Sequence, residues 1–163
     1  MKIGVVSDTH GRPLPSQMLK DFRDVDLIIH AGDICDWSHY EQLAALQEIK
    51  AVYGNMDGAE IRGRLPARQL FSCGGTTIGV YHGEGAPRQL LDKVRASFAA
   101  DHPAVVVFGH SHEPFNERID GTLYFNPGSP NDTVCAPYCS YGLLTVAPDK
   151  VSGKIIKVKG CDG

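Results

Sequence analysis

The sequence lacks the features that would mark a nucleic-acid-binding or membrane protein. Its 163 residues include 16 basic and 19 acidic side chains, so the formal net charge is -3 and there is no basic excess to neutralise the phosphates of a nucleic acid. No apolar run approaches the roughly 18 residues that a membrane span requires, and residues 1–11 do not resemble a signal peptide. We therefore expect a cytoplasmic protein without membrane contact or general affinity for nucleic acid. None of these absences excludes a small phosphate ester as the substrate.

Internal repeats, low-complexity tracts and domain linkers are also missing, which predicts a single domain over residues 1–163. Cysteine is scarce and odd in number, and an odd count without an export signal predicts reduced cytosolic thiols. The C-x3-C spacing of Cys135 and Cys139 has no second pair and is a weak signal for zinc. We interpret all five cysteines as loop or core thiols; they are Cys35, Cys73, Cys135, Cys139 and Cys161.

In place of long apolar runs the sequence has short ones, each followed by a polar residue. Such runs, rich in Val and Ile, predict buried strands; they are KIGVVSD, VDLIIHAGD, KAVYGN, TIGVYHG and AVVVFGHSH. Helical patterns lie in PSQMLKDFRD, SHYEQLAALQEI and PRQLLDKVRASFA, the second with Ser38 as its candidate N-cap. Further strands are predicted in QLFSCGG, TLYFNPGS, YGLLTVAP and GKIIKVKG. The alternation indicates an α/β sandwich.

Side chains that can bind metal stand at the carboxyl ends of the main predicted strands. Ligands of open α/β sheets bind outside these ends, and parallel strands bring them to one edge. The D-T-H and H-S-H motifs contribute two residues each, since residues two apart in an extended chain face the same way. Either motif alone is a chance match more often than a site. Taken in order, the candidate ligands are Asp8, His10, Asp33, Asn55, His82, His110 and His112.

The donor atoms of this set indicate the kind of site. Seven oxygen and nitrogen donors predict two metal ions, and Asp33, at the end of the second strand, is the natural bridging carboxylate. Carboxylate, amide and imidazole ligands suit Mn, Fe, Ni or Zn. No cysteine occupies one of these positions, which argues against a thiolate zinc site. We favour Mn²⁺, with Ni²⁺, Fe²⁺ and Zn²⁺ as alternatives.

The order D-x-H, G-D, G-N, H-G and G-H-x-H resembles the calcineurin-like metallophosphoesterase superfamily. With NPGS at residues 126–129, the chain is most similar to the small, single-domain YfcE-like branch of bacterial and archaeal phosphodiesterases. This resemblance implies an α/β sandwich of two mixed sheets flanked by helices. It also implies two metal positions, one held by Asp8, His10, Asp33 and His112 and the other by Asp33, Asn55, His82 and His110.

The same resemblance implies hydrolysis of a phosphate ester by a hydroxide that bridges the two ions. Asp33, Asn55 and His82 would then take part in catalysis as well as in metal binding. Met56 stands where the protein-phosphatase and nuclease branches carry a histidine that protonates the leaving group, and a thioether cannot donate a proton. We therefore expect leaving groups that need less protonation, or another acid. Members of the small branch also lack this histidine and tend towards phosphodiesters.

Two other functions stay open at this point. One is a phosphomonoesterase that uses the same site, and the other is a protein-binding scaffold like the retromer subunit of this fold, whose ligand set is incomplete. Arg12, Arg62 and Arg88 are candidate phosphate-binding residues, although solvated surface arginines are commoner. Substrate selection is expected from loops 57–69, 83–89 and 130–140 or from a neighbouring subunit of a homo-oligomer.

Overall fold

The computed structural model describes residues 1–161, and these residues form ten strands and four helices. The strands are β1 (Lys2–Val6), β2 (Leu27–His30), β3 (Ile49–Ala51), β4 (Arg68–Cys73), β5 (Thr76–Tyr81), β6 (Val105–Val107), β7 (Phe115–Ile119), β8 (Thr122–Asn126), β9 (Ser140–Ala147) and β10 (Lys150–Lys157). The helices are α1 (Ser16–Phe22), α2 (Trp37–Ala44), α3 (Ala59–Arg64) and α4 (Pro87–Ser97). None of the helices within residues 1–161 has the length and apolar character needed to cross a membrane.

The strands form two five-stranded mixed sheets. The first has the order β10-β9-β1-β2-β3, with β1, β2 and β3 parallel and with β9 and β10 antiparallel to their neighbours. The second has the order β4-β5-β6-β8-β7, with β5, β6 and β8 parallel and with β4 and β7 antiparallel. The Val- and Ile-rich runs form central strands because β-branched side chains pack well on a buried pleated surface. The predicted α/β sandwich of two mixed sheets flanked by helices is confirmed.

The main hydrophobic core fills the space between the two sheets. Ile3 and Ile29 of the first sheet and Val107 of the second are fully buried in one cluster. Alternate residues of the same strands point to the outer faces of the sheets, where the helices cover them. Ile28 packs in a cluster with residues of α1 and α2, and Val106 packs with residues of α4. The central strands of both sheets are therefore covered on both faces, which explains why they read as nearly continuous apolar runs.

The carboxyl ends of the parallel strands meet at one edge of the sandwich. Within the second sheet, the backbone N–H of Gly109 after β6 donates to the carbonyl of His82 after β5 over 3.1 Å. Between the sheets, the N–H of His110 donates to Oδ2 of Asp8 after β1 over 3.0 Å. The loops that carry the predicted ligands are thus joined to one another directly.

Three local features differ from the expectations. Helix α2 begins at Trp37, because Asp36 rather than Ser38 is its N-cap and accepts from the backbone N–H of Ser38 over 2.9 Å. Helix α3 lies within residues 57–69, where only a loop was expected. Strand β7 was not predicted because it is an edge strand with three exposed polar residues at its centre.

Two cysteines contradict the expectation of reduced thiols. Cys139 and Cys161 form a disulfide, with their Cα atoms 6.0 Å apart. The chain after β10 returns to the start of β9, where the N–H of Val158 donates to the carbonyl of Cys139 over 2.9 Å. The spacing of the cysteines along the sequence does not indicate that Cys139 and Cys161 come close together. Cys35 and Cys135 are exposed free thiols, so Cys135 and Cys139 do not act as a pair.

Candidate metal centre

Five of the seven predicted ligands have a left-handed backbone. The φ angles are 57° at Asp8, 49° at His10, 56° at Asp33, 73° at His110 and 60° at His112. The extended conformation expected for D-T-H and H-S-H is therefore wrong, and sharp turns direct these side chains instead. Such a backbone costs about 1–2 kcal/mol per residue. Its concentration at one site indicates that the surrounding contacts hold the loops in a functional arrangement.

Backbone pairing continues past the ends of β1 and β2 and aligns their loops. The N–H of Asp8 donates to the carbonyl of Gly32 over 2.9 Å, and that of His10 donates to the carbonyl of Asp33 over 3.0 Å. This pairing keeps Asp8, His10 and Asp33 beside one another although Asp33 lies 25 positions after Asp8.

Asp57 organises a second set of turns and was not singled out from the sequence. Its buried carboxylate accepts from the N–H groups of Asp33 over 2.9 Å, Gly54 over 2.8 Å and Cys35 over 2.7 Å. These bonds satisfy donors that the left-handed turns leave free. The available signal was an aspartate within the turn sequence G-N-M-D-G, where side-chain bonds to nearby backbone are common.

Asp8 presents one oxygen of its carboxylate to three imidazoles. Its Oδ2 accepts from the hydroxyl of Ser7 over 2.7 Å and from the N–H of His110. Its Oδ1 is buried and has no hydrogen-bond partner among residues 1–161. The Nε2 atoms of three histidines surround this oxygen at 3.4–3.8 Å, too far for hydrogen bonds; they are His10, His82 and His112. A buried carboxylate oxygen left in this state is well suited to a cation.

Asp33 lies between the two groups of histidines. Its Oδ1 accepts from the N–H of Met56 over 2.8 Å, and its Oδ2 is 3.2 Å from Nε2 of His82 and 3.7 Å from Nε2 of His10. One oxygen thus faces both predicted metal positions. Asn55 completes the second group, because its Oδ1 is 3.1 Å from Nε2 of His82 and 3.1 Å from Nδ1 of His110.

Three of the four histidines have the ring nitrogen away from the centre engaged by an acceptor. Nδ1 of His82 lies 2.7 Å from the carbonyl of Ala31, and Nε2 of His110 lies 2.9 Å from the carbonyl of Gly85. A carbonyl can only accept, so each of these nitrogens carries the proton. The other nitrogen of each ring then offers its lone pair to the centre, as a metal ligand requires.

The third such contact involves Asp132, which the sequence analysis did not identify. Its Oδ2 is 2.5 Å from Nδ1 of His112, and its side chain is buried. The loop around it reads SPNDT, a turn-forming composition that signals local structure but not a partnership with a distant histidine.

The pKa values show how strongly the centre attracts positive charge. Burial alone would raise the pKa of Asp8, but the nearby imidazoles lower it far below its usual range. Contact with Asp8, opposed by burial, raises the pKa of His112 to about 9. Burial lowers the pKa of His82, but Asp33 and Asp8 more than offset this, so the net shift is upward. The carboxylates of Asp8 and Asp33 thus favour positive charge at the positions that a cation would take.

The three candidate arginines are either bonded to backbone carbonyls or exposed. Arg12 donates to the carbonyl of Asn131 over 3.3 Å. Arg62 donates to the carbonyls of Asp57 over 2.7 Å and Asn55 over 3.1 Å, so much of its guanidinium is used within the protein. Arg88 is exposed near the start of α4. Phosphate binding by any of them stays a prediction.

Comparison with known proteins places the chain in a family. The model of the calcineurin-like phosphoesterase superfamily domain matches residues 1–149. The chain belongs to this superfamily. It is 37% identical to a probable metallophosphoesterase of Methanocaldococcus jannaschii over 98% of this chain and 82% of the relative. It is 30% identical to a phosphodiesterase of the same organism over 78% of this chain and 83% of that protein.

Solved structures of the same fold include Vps29 from Entamoeba histolytica, in a single-mutant form. That structure has a TM-score of 0.85 and covers 99% of this chain and 95% of its own, at 20% sequence identity. This likeness shows the shared fold. Membership of the phosphoesterase superfamily implies a metal-dependent hydrolase of phosphate esters, and the oxygen and imidazole donors described above are suited to divalent metal ions.

Proposed function

We propose that the protein hydrolyses small phosphodiesters with the help of two divalent metal ions. The observation that carries the proposal is the unpartnered Oδ1 of Asp8, buried within 3.4–3.8 Å of three imidazole nitrogens. When bound, two such ions supply an activated water and neutralise the charge of the phosphate. The chain's own residues hold those ions, orient the ester and shape the space around it.

Two metal positions are proposed because the donors form two groups that share Asp33. Oδ2 of Asp33 lies within 3.7 Å of Nε2 of both His10 and His82, which belong to different groups. The first group holds one ion and the second group holds the other; they are Asp8, His10, Asp33 and His112, and Asp33, Asn55, His82 and His110. Mn²⁺ is the proposed ion, with Ni²⁺, Fe²⁺ and Zn²⁺ as alternatives of similar ligand preference.

A diester is proposed as the substrate because a cavity opens beside each of the two groups of proposed ligands. A cavity of about 400 Å³ opens beside His10 and Cys35 and is lined by Trp37. Another of about 240 Å³ opens beside Asn55 and His82. A monoester would occupy one such space, whereas the two esterified groups of a diester can use both.

The residue after Asn55 supports the same substrate class. The side chain of Met56 is largely exposed, and its N–H holds Asp33, so this residue orients a ligand but has no proton to give a leaving group. The nearby Cys35 thiol is also a poor proton donor, because burial and the Asp57 and Asp33 carboxylates raise its pKa to about 12. The phosphodiesterase relative from M. jannaschii agrees with a preference for diesters.

The test compares bis-p-nitrophenyl phosphate with p-nitrophenyl phosphate, using protein stripped with a chelator and then supplied with Mn²⁺. Metal-dependent turnover of the diester with the higher kcat/KM is the expected result. Preference for the monoester would replace the proposal with a phosphomonoesterase that uses another acid. Absence of turnover from folded, metal-loaded protein would favour a binding scaffold, and sedimentation of the same sample would test the predicted homo-oligomer.

A further inference from the structure

Asp132 lies outside the set of proposed ligands but contacts one of them closely. It is in the segment between β8 and β9, its side chain is buried, and its Oδ2 is 2.5 Å from Nδ1 of His112. We propose that Asp132 is a positioning residue that fixes the ring and the proton of His112 so that Nε2 serves as a metal ligand. This inference rests on the metal centre of the proposed function.

The two oxygens of Asp132 have separate partners. Oδ1 accepts from the N–H groups of Val134 over 2.9 Å and Cys135 over 3.0 Å, which closes the local turn. Oδ2 is left for His112. The structural contribution of the side chain and its contact with the histidine therefore depend on different atoms, and a substitution can separate them.

The segment that carries Asp132 is fastened to the loop after β1. The amide of Asn131 donates to the carbonyl of Thr9 over 3.1 Å, and the hydroxyl of Ser129 donates to the carbonyl of Asp8 over 2.8 Å. Arg12 adds a bond to the carbonyl of Asn131. These bonds fix the position of Asp132 relative to Asp8, which lies on the other side of His112.

The contact determines which nitrogen of His112 faces the centre with a lone pair. A carboxylate oxygen can only accept, so Nδ1 carries the proton. Nε2 then points at Oδ1 of Asp8, 3.4 Å away, and at Nε2 of His10, 3.0 Å away. An amide nitrogen in place of Oδ2 would donate to Nδ1 instead and would move the proton to Nε2, where it competes with a metal ion.

The variants Asp132→Asn and Asp132→Ala separate the two roles. Asparagine keeps an oxygen for the N–H groups of Val134 and Cys135 and removes the acceptor for His112, whereas alanine removes both. The matched control is Asp120→Asn, which removes the same charge from an exposed turn where Asp120 contacts Arg95. Each protein is titrated with Mn²⁺ by equilibrium dialysis after removal of metal, and its thermal unfolding is recorded without metal.

We expect Asp132→Asn to bind one Mn²⁺ ion about 10–100-fold more weakly, as for other residues that orient metal-bound histidines, while its unfolding stays close to that of the parent. Asp132→Ala should lose the same affinity and also unfold at a lower temperature. Parental affinity in Asp132→Asn, with a loss only in Asp132→Ala, would overturn the inference and leave Asp132 as a turn residue.

The same titration distinguishes this inference from the proposed activity. If the parent protein binds Mn²⁺ and Asp132→Asn binds it more weakly, the inference holds even where the parent fails to cleave the diester. If the parent cleaves the diester and Asp132→Asn binds Mn²⁺ normally, only the inference fails. A parent protein that binds no Mn²⁺ would overturn both.

Discussion

The Nε2 atoms of His10 and His112 lie 3.0 Å apart, and both face the unpartnered Oδ1 of Asp8. Two imidazole nitrogens at this distance share a proton when no metal is bound, since two lone pairs would repel each other. Metal binding must remove that proton. The arrangement therefore links the affinity for metal to pH.

The affinity for Mn²⁺ should rise with pH. Contact with Asp8 raises the pKa of His112 to about 9 in the metal-free protein, so below that pH the ion bound by His112 must displace a proton. With one proton displaced, the affinity should increase about tenfold per pH unit on approach to pH 9 and then level off. Calorimetric titrations in buffers of different ionisation enthalpy measure the proton release directly. An affinity that does not change between neutral pH and pH 9 would contradict the prediction.

Asp33→Asn should remove turnover while leaving the fold intact. The new amide keeps an oxygen that can accept from the N–H of Met56, now 2.8 Å from Oδ1, but it lacks the charge that faces His10 and His82. We expect kcat to fall by more than about 100-fold, because even outer partners of metal ligands contribute 10–100-fold. Metal content measured by emission spectrometry should fall with it.

The control for this substitution is Asp24→Asn, which removes an exposed carboxylate in the turn after α1. It should retain both turnover and metal. If Asp33→Asn kept full activity with diester, the bridging role of Asp33 would be wrong.

Gly109→Ala should disrupt the centre by crowding. A Cβ at Gly109 would lie 2.0 Å from Oγ of Ser7 and 2.7 Å from Oδ2 of Asp8, so Asp8 must move. Overpacking of this kind costs about 1–3 kcal/mol, and the displacement should also weaken metal binding. Gly63→Ala is the control, because nothing lies within 4 Å of its Cβ in α3 and alanine favours a helix. Urea unfolding and Mn²⁺ titration of both variants test this prediction. Equal stability and equal Mn²⁺ affinity of Gly109→Ala and Gly63→Ala would refute it.

The sequence was sufficient to predict that the seven candidate side chains come together, while their role as metal ligands stays a prediction. Each ligand follows a short apolar run, and parallel strands bring such positions to one edge whatever their separation along the chain. Asp33 at the end of β2 and His82 after β5 illustrate this, since their side chains approach to 3.2 Å across the two sheets. The hydrophobic pattern and the positions of the strand ends are therefore enough to predict which side chains meet at this edge.

Other parts of the centre depend on tertiary contacts that leave no periodic signal. The left-handed turns at Asp8 and His110 were missed because non-glycine residues rarely adopt them unless neighbours compensate. Asp132 contacts His112 only because its segment is hydrogen-bonded to the loop after β1. The disulfide of Cys139 likewise depends on where the chain returns after β10.

His30 should make the metal-free protein lose stability in acid. It is fully buried; its Nδ1 accepts from the N–H of Gly32 over 3.1 Å, and its Nε2 lies 3.0 Å from the hydroxyl of Thr9. Because Nδ1 is an acceptor, the ring must be neutral in the folded state. Burial accordingly lowers the pKa of His30 to about 3, from 6.5 in an unfolded chain. The unfolded state takes up the proton first, so this contribution to stability is complete above pH 6.5 and is lost as the pH falls towards 3.

The variant His30→Asn isolates this effect. Its amide oxygen can accept from Gly32 but does not titrate, so the free energy of unfolding of the parent should fall relative to the variant by about 1.4 kcal/mol per pH unit below pH 6.5. Urea unfolding in the presence of a chelator, at intervals between pH 7 and pH 4, gives the comparison. His102→Asn removes an exposed histidine and should leave the slope unchanged. A parent and a His30→Asn variant with parallel profiles would show that His30 is protonated in the folded protein, and the bond from Gly32 would then have to be absent.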